Sequence, residues 1–251
     1  MIDLHAHILP GVDDGVRSLE EACELARVAV ADGIAVTAAT PHVRDDYPTT
    51  PEQVERGVEE VRRSLGDAGI PLEVVHGAEV DIGALARLTE EEVIRLTIGQ
   101  AGRYLLVEFP YGGWPVALEG ATARLLGAGI TPILAHPERN DLVQQSPRRL
   151  LPVVESGCLV QVTAASLAGG LGRAAATTGH ELVRLRLAHV AATDAHGPTM
   201  RAMTLSACAD AVRDAAVARY LTEEAPAAVL AGEPVPPPPP PTGRRSLWRR
   251  R

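Results

Sequence analysis

Histidine and carboxylate residues recur in short, regular groups along this chain of 251 residues. Asp3, His5 and His7 alternate near its start, and Asp194 and His196 repeat the alternation much later. Between them come His42 after Thr40-Pro41, Glu79 after His76-Gly77-Ala78, Glu108 after Val107, and His136 at the head of His-Pro-Glu138-Arg139. In extended chain, residues two apart point to the same side, so His5 converges with His7 and Asp194 with His196. Mixed imidazole and carboxylate donors suit zinc, manganese or iron. They are also too many for one ion, so a cluster of two or three is expected.

Composition removes several other chemistries. The basic residues are all arginine, which excludes a Schiff-base, P-loop or other catalytic lysine. Three cysteines at wide spacing (Cys23, Cys158, Cys208) make neither a disulfide framework nor a CxxC zinc site, and no Cys-x5-Arg loop follows any of them. Net charge is −8, with five arginines and no acid in residues 234–251, so the rest of the chain is markedly acidic. Such a body is a poor general binder of nucleic acid, and none is expected as a partner. No apolar run is long enough for a membrane span, and no leader precedes the Asp3-His7 group, which gives a cytoplasmic expectation.

The elements that must position these residues are legible as a strand–helix rhythm. Strands are expected at Ile2–His5, Ile34–Thr40, Leu72–Glu79, Tyr104–Phe109, Ile130–Ala135, Cys158–Thr163 and His189–Thr193. Most are continuous apolar runs, as in strands covered on both faces. Helix starts are marked by Ser18 with Glu21, Thr50 with Pro51 and Gln53, and Thr89 with Glu92. Gly33, Gly69, Gly129 and Gly157 mark helix ends. Six of these seven strands end in a His, Asp or Glu, and in an α/β barrel that end carries the active site.

Taken together, Asp3-x-His5-x-His7, Thr40-Pro41-His42, Glu79, Ala135-His136-Pro137-Glu138-Arg139 and Asp194-x-His196 resemble the polymerase and histidinol phosphatase (PHP) superfamily. The longer opening, Ile2 to Gly15, is similar to the manganese-dependent bacterial tyrosine-protein phosphatases of the CpsB/CapC/YwqE type. The resemblance covers roughly residues 1–225. It implies an α/β fold, a distorted (β/α)7 barrel, as a single domain over 1–233; the Pro/Arg-rich composition of 234–251, which the resemblance does not cover, reads as a disordered tail. It further implies three metal sites: His5, His7, Glu79 and Asp194; Glu79, Glu108 and His136; and Asp14, His42 and His196. Arg139 would bind phosphate with help from Arg201.

The implied reaction is hydrolysis of phosphotyrosine on the tail of a bacterial tyrosine kinase, regulating capsule or exopolysaccharide synthesis. Manganese is the expected ion, with zinc, iron, cobalt or magnesium as alternatives. Metals would polarise the phosphoryl oxygens and turn a bridging water into hydroxide near neutral pH. An arginine fork would take the non-reacting oxygens, and Asp194 or His136 would protonate the leaving group. The alternatives are a small-molecule phosphoesterase such as a histidinol-phosphate phosphatase, and a non-catalytic metal-binding regulator. Asp3 is expected behind the ligands, orienting a histidine, and Asp13 is read as a turn residue before Gly15. His76, His180 and His189 are read as structural. Pro234 and Pro236–Pro241 form a polyproline run without means of joining a core. The arginines after it are either inert or, with Trp248, a contact for an anionic surface such as acidic lipid.

Overall fold

The computed structural model describes residues 1–199 and 201–240. Every strand pairing between named strands is parallel. One sheet has the order β1 (Ile2–Ala6), β2 (Val36–Ala39), β4 (Glu73–His76). The other runs β3 (His42–Val43), β5 (Glu79–Asp81), β6 (Tyr104–Glu108), β7 (Thr131–Ala135), β8 (Leu159–Thr163), β9 (Val190–Ala192). The expected strand Leu72–Glu79 is split into β4 and β5, and β3 is a short strand beyond the expected end of Ile34–Thr40. Pro41 cannot donate to a ladder and separates β2 from β3, while Gly77 separates β4 from β5. Beyond β9 the chain bonds back to the end of β1, with His7 N donating to Ala195 O (2.8 Å) and Asp194 N to His5 O (2.9 Å).

The helices cover the outer faces: α1 (Leu19–Asp32), α2 (Pro51–Asp67), α3 (Glu90–Leu96), α4 (Leu118–Gly127), α5 (Asp141–Gln145) and α6 (Leu151–Glu155). They continue with α7 (Ala164–Leu167), α8 (Arg173–Arg184), α9 (Ser206–Val212), α10 (Ala215–Arg219) and α11 (Ala225–Leu230). Leu4, Leu105, Leu106, Leu134, Val160 and Val190 of the strands are buried, on both faces of the sheet in the case of the adjacent Leu105 and Leu106. The caps on α2 and α3 form complete boxes, Thr50 with Gln53 and Thr89 with Glu92. At α1 the box is only half made: Ser18 accepts from Glu21 N, but the Glu21 carboxylate turns to Arg17 instead. Gly33 takes the left-handed conformation (φ 89°) that its place at the end of α1 requires.

The proline run departs from expectation. Residues 234–240 lie against the body, with Val235 packed on the core. Tyr104 OH donates to Glu233 O (2.5 Å), Tyr220 OH to Pro236 O (2.7 Å) and Arg186 Nε to Pro238 O (2.7 Å). A proline lacks the N–H but keeps its carbonyl, so donors supplied by tyrosine and arginine are enough to hold such a segment. Tyr104 opens β6 and Arg186 precedes β9, so the strap crosses the amino ends of the strands. Residues 241–251, with the five arginines and Trp248, lie outside the described residues, and with them the expected disorder and anionic contact. Among the described residues no helix is long and apolar enough to cross a membrane.

His189, just before β9, is structural in a way that can be measured. It is 7% exposed, and its Nδ1 accepts the Val160 N–H (3.1 Å). Burial lowers its pKa from 6.5 to about 4, so the folded protein keeps it neutral. As pH falls below 6.5 the unfolded chain takes up a proton that the folded chain refuses. Stability should therefore fall between pH 6.5 and 4, by up to about 3 kcal/mol from this group. His189→Asn keeps an acceptor for Val160 N and cannot titrate. Denaturant unfolding at pH 7 and pH 4.5 should show a shallower acid loss in the variant; parallel losses would mean that His189 is not protected from protons.

Candidate metal centre

The carboxyl ends of the parallel strands bring all nine candidate ligands to one end of the fold. His5 and His7 leave β1, His42 and Glu79 begin β3 and β5, and Glu108 ends β6. His136 follows β7, and Asp194 and His196 follow β9. Donor atoms lie within 4.8 Å of one another in four overlapping groups. These are His7 with Asp14, His42 and His196; His5 with Glu79 and His136; His5 with His7 and Asp194; and His42 with Glu79 and Glu108. Glu79 is the hub. Its Oε1 is 2.8 Å from His136 Nε2, and its Oε2 is 3.2 Å from His5 Nε2 and 3.1 Å from His42 Nδ1. Glu108 and His136 fall in separate groups, each of which contains Glu79. Glu108 sits beside His42, with its Oε1 taken by Arg44 Nη1 at 3.0 Å.

The imidazoles are set by what their other nitrogens touch. His7 Nδ1 donates to Asp13 Oδ2 (2.6 Å), which frees Nε2 to face Glu79 and Asp194. His196 Nδ1 donates to the Asp194 carbonyl (2.8 Å). His5 Nδ1 donates to Gln161 Oε1 (3.1 Å). The same Gln161 oxygen accepts the His136 backbone N–H (3.2 Å), which identifies it as the oxygen and fixes the His5 tautomer. This is the arrangement in which outer partners orient metal-binding histidines.

Burial and charge fit a cation. Glu79 Oε2, Glu108 Oε2 and His42 Nδ1 are buried and make no hydrogen bond. Unpaired lone pairs gathered this closely are costly unless a positive charge joins them. Burial raises the pKa of Glu79, but His5, His136 and His42 outweigh it and hold the carboxyl well below its usual range. Asp194 is likewise depressed, with burial opposed by His5, His7 and His136. For His42, burial is overcome by Glu108 and Glu79, and its pKa rises to about 9. The donor set, all nitrogen and oxygen, suits manganese, iron or zinc more than a soft-metal site.

Three of the six left-handed non-glycine residues among the described residues lie here. His136 (φ 37°), Asp194 (φ 53°) and Arg201 (φ 52°) are left-handed without being glycine. Gly15 has the opposite constraint: a Cβ there would lie 2.3 Å from the His7 carbonyl oxygen, so the loop carrying Asp13 and Asp14 can close over His7 only with glycine. Arg139 Nη1 (2.9 Å) and Arg201 Nη1 (3.2 Å) both reach Asp194 Oδ2. The Arg139 guanidinium also lies over the Tyr111 ring, 4.3 Å from its centroid.

Two residues have roles that their sequence context hid. Asp13 does accept the Gly15 N–H as a turn residue would (2.9 Å), but its second oxygen holds His7 and the His42 N–H. It takes the part expected of Asp3, which instead ties backbones: Asp3 accepts from His5 N, Thr193 N and Thr193 OH and touches no imidazole ring by hydrogen bond. Burial pushes the Asp3 carboxyl up to about 6 against those bonds. Gln161 comes from β8, the strand that offered no His, Asp or Glu. Its signal was an amide inside the otherwise apolar Leu159–Thr163. His76, His180 and His189 stay outside the four groups. Asp13→Ala should weaken metal binding by about 10- to 100-fold, with activity recovered at excess metal. Calorimetric metal titration checks this, and unchanged affinity would reduce Asp13 to a turn residue.

An α/β fold with parallel strands, and a cluster of imidazoles and carboxylates flanked by arginines, suits metal-assisted chemistry on an anionic substrate. Residues 1–230 match the family model described as capsular polysaccharide synthesis, CpsB/CapC, and the chain belongs to that family. It is 36% identical over 204 residues to the tyrosine-protein phosphatase YwqE of Bacillus subtilis, covering 80% of this chain and 79% of the relative. It is 33% identical to a CapC protein of Staphylococcus aureus over 82% of this chain and 80% of that one. A chain from the crystal structures of YwqE from Bacillus subtilis and CpsB from Streptococcus pneumoniae, described as metal-dependent tyrosine phosphatases, superposes with a TM-score of 0.86. That match has 32% identity and covers 97% of this chain and all of the other.

Proposed function

We propose that this protein is a metal-dependent phosphatase that removes phosphate from tyrosine on a polypeptide, the tail of a bacterial tyrosine kinase in capsule synthesis. The observation that carries the reading is the convergence of nine ligand-type side chains with Arg139 and Arg201 at one end of a CpsB/CapC-family chain. The fold is read as a distorted seven-stranded barrel over 1–233, supported by the hydrogen bonds that return the chain after β9 to the end of β1.

His5, His7, Glu79 and Asp194 would hold one ion, Glu79, Glu108 and His136 a second, and Asp14, His42 and His196 a third, with manganese the expected metal. Bound ions polarise phosphoryl oxygens and make water a nucleophile near neutral pH. The chain's own groups do the rest. Arg139 and Arg201 offer guanidinium donors to the non-reacting phosphate oxygens. Both also keep Asp194 ionised, which suits ligation and opposes its use as a proton donor. The tyrosine leaving group, with a pKa of about 10, needs less proton assistance than an alkyl alcohol would. Asp14 is 41% exposed by side chain and Arg201 28%, which favours access by a protein substrate over enclosure of a small metabolite.

The test is hydrolysis of a phosphotyrosine peptide and of histidinol phosphate by metal-stripped protein, with Mn, Zn, Fe, Co or Mg restored singly. Peptide turnover restored by manganese is expected. Turnover of histidinol phosphate alone would move the protein to the small-molecule phosphoesterases.

A further inference from the structure

Beside the metal centre stands a half-exposed aromatic ring that neither ligation nor phosphate binding uses. Tyr111, in the loop after β6, is 48% exposed, and its ring centroid is 5.7 Å from that of His136. The Arg139 guanidinium covers part of it. A single exposed aromatic on a loop is ordinary. This loop, however, is fastened to the segment that carries Arg139. Asn140 Nδ2 donates to Pro110 O (2.7 Å) and Gly113 O (2.8 Å), Asp141 N donates to Tyr111 O (2.9 Å), and Gly113 N donates to Asp141 Oδ1 (2.9 Å). Phe109 meets Trp114 edge-on at 5.6 Å, bracing the loop further. The backbone that bears the ring is therefore tied to the segment that carries the guanidinium, and the two side chains meet across that join.

We infer that Tyr111 is a specificity-determining residue: a platform on which the aromatic ring of an aryl phosphate packs while Arg139 holds its phosphate. One ester oxygen separates phosphorus from the ring in phosphotyrosine, so a phosphate on Arg139 leaves that ring beside Tyr111. An alkyl phosphate reaches the same arginine and ions but has nothing to lay on the tyrosine. A preset aromatic surface loses little freedom on binding, and a ring pair of this kind favours the aryl ligand by about five- to tenfold. The inference deepens the phosphotyrosine reading above and rests on it for the biological substrate.

Phenylphosphonate and methylphosphonate test it, because they share the phosphoryl group and differ in the ring. Their binding to the full-length, manganese-loaded protein is measured by calorimetry, for the natural chain and for Tyr111→Leu and Tyr111→Trp. The natural chain should bind phenylphosphonate about tenfold more tightly than methylphosphonate. Tyr111→Leu should cut that ratio to about twofold, and Tyr111→Trp should restore it. A ratio near one in the natural chain, or one unmoved in Tyr111→Leu, overturns the inference. So does an equal loss for both ligands, which would make Tyr111 only a support for Arg139. A natural chain that keeps the tenfold ratio yet fails to hydrolyse a phosphotyrosine peptide overturns the proposed substrate and leaves the platform standing.

Discussion

Glu79→Gln should abolish phosphatase activity, lowering kcat/KM by about 10³-fold or more, equivalent to about 4 kcal/mol of transition-state stabilisation. The amide is nearly the same shape, so the loss would come from charge and lone pairs rather than from packing. Glu79 is fully buried and approaches His5, His42 and His136 within 3.2 Å, and His7 at 3.5 Å. No other carboxylate in the centre belongs with as many imidazoles. An amide would turn a donor N–H toward nitrogens that must present lone pairs to a cation, and would remove one of the negative charges that attract it. Metal content should fall with activity. Thermal melting gives a readout independent of turnover: manganese should raise the melting temperature of the natural chain, since a ligand that binds only the folded state stabilises it by mass action, and should fail to do so in Glu79→Gln. A variant that keeps both its metal and its melting shift would remove Glu79 from the centre.

The uneven legibility of this site has physical causes. His5 with His7 was readable because alternation in a strand dictates direction, and Asp194 and His196 because polar residues at the ends of apolar strands have few other reasons to be there. Asp194 itself is left-handed rather than extended, and it and His196 fall in different groups. The strands were readable because they are buried on both faces. Where the chain splits one, at Gly77, the signal was present but masked by the run on either side, and the two-residue β3 after Pro41 was too short to show. Asp13 was hidden because its local pattern, Asp before Asp-Gly, is a sufficient account of itself: it makes the turn and also holds His7. Gln161 was hidden because an amide is no metal ligand by habit, and its partners lie 156 and 25 residues away in sequence. The Tyr104, Tyr220 and Arg186 donors that fasten the proline segment come from three separate parts of the chain. Residues of ligand type carry their chemistry in their identity. Those that aim them carry it in distant pairings, which one sequence does not display.

Arg139→Ala separates phosphate recognition from ion binding, and the outcome should be the reverse of Glu79→Gln in one respect. Arg139 reaches the centre by Asp194 Oδ2 alone, at 2.9 Å, so its removal takes no donor away from an ion. Asp194 stays ionised, because Arg201 and the neighbouring imidazoles of His5, His7 and His136 remain. Metal content and the manganese melting shift should therefore persist. Activity should not: losing a charged donor aimed at developing phosphoryl charge costs about 10²- to 10³-fold in kcat/KM. Arg139→Lys should recover little of it, since a point charge cannot reproduce the planar fork or its stacking on Tyr111. Arg201 reaches the same Asp194 oxygen at 3.2 Å, so the two arginines act on one spot. The double variant should then lose less than the product of the single losses, the signature of coupled residues. Steady-state kinetics on a phosphotyrosine peptide, with metal content measured on the same preparations, decides it. If Arg139→Ala loses its metal together with its activity, the arginine is a structural brace for Asp194 and phosphate recognition lies elsewhere.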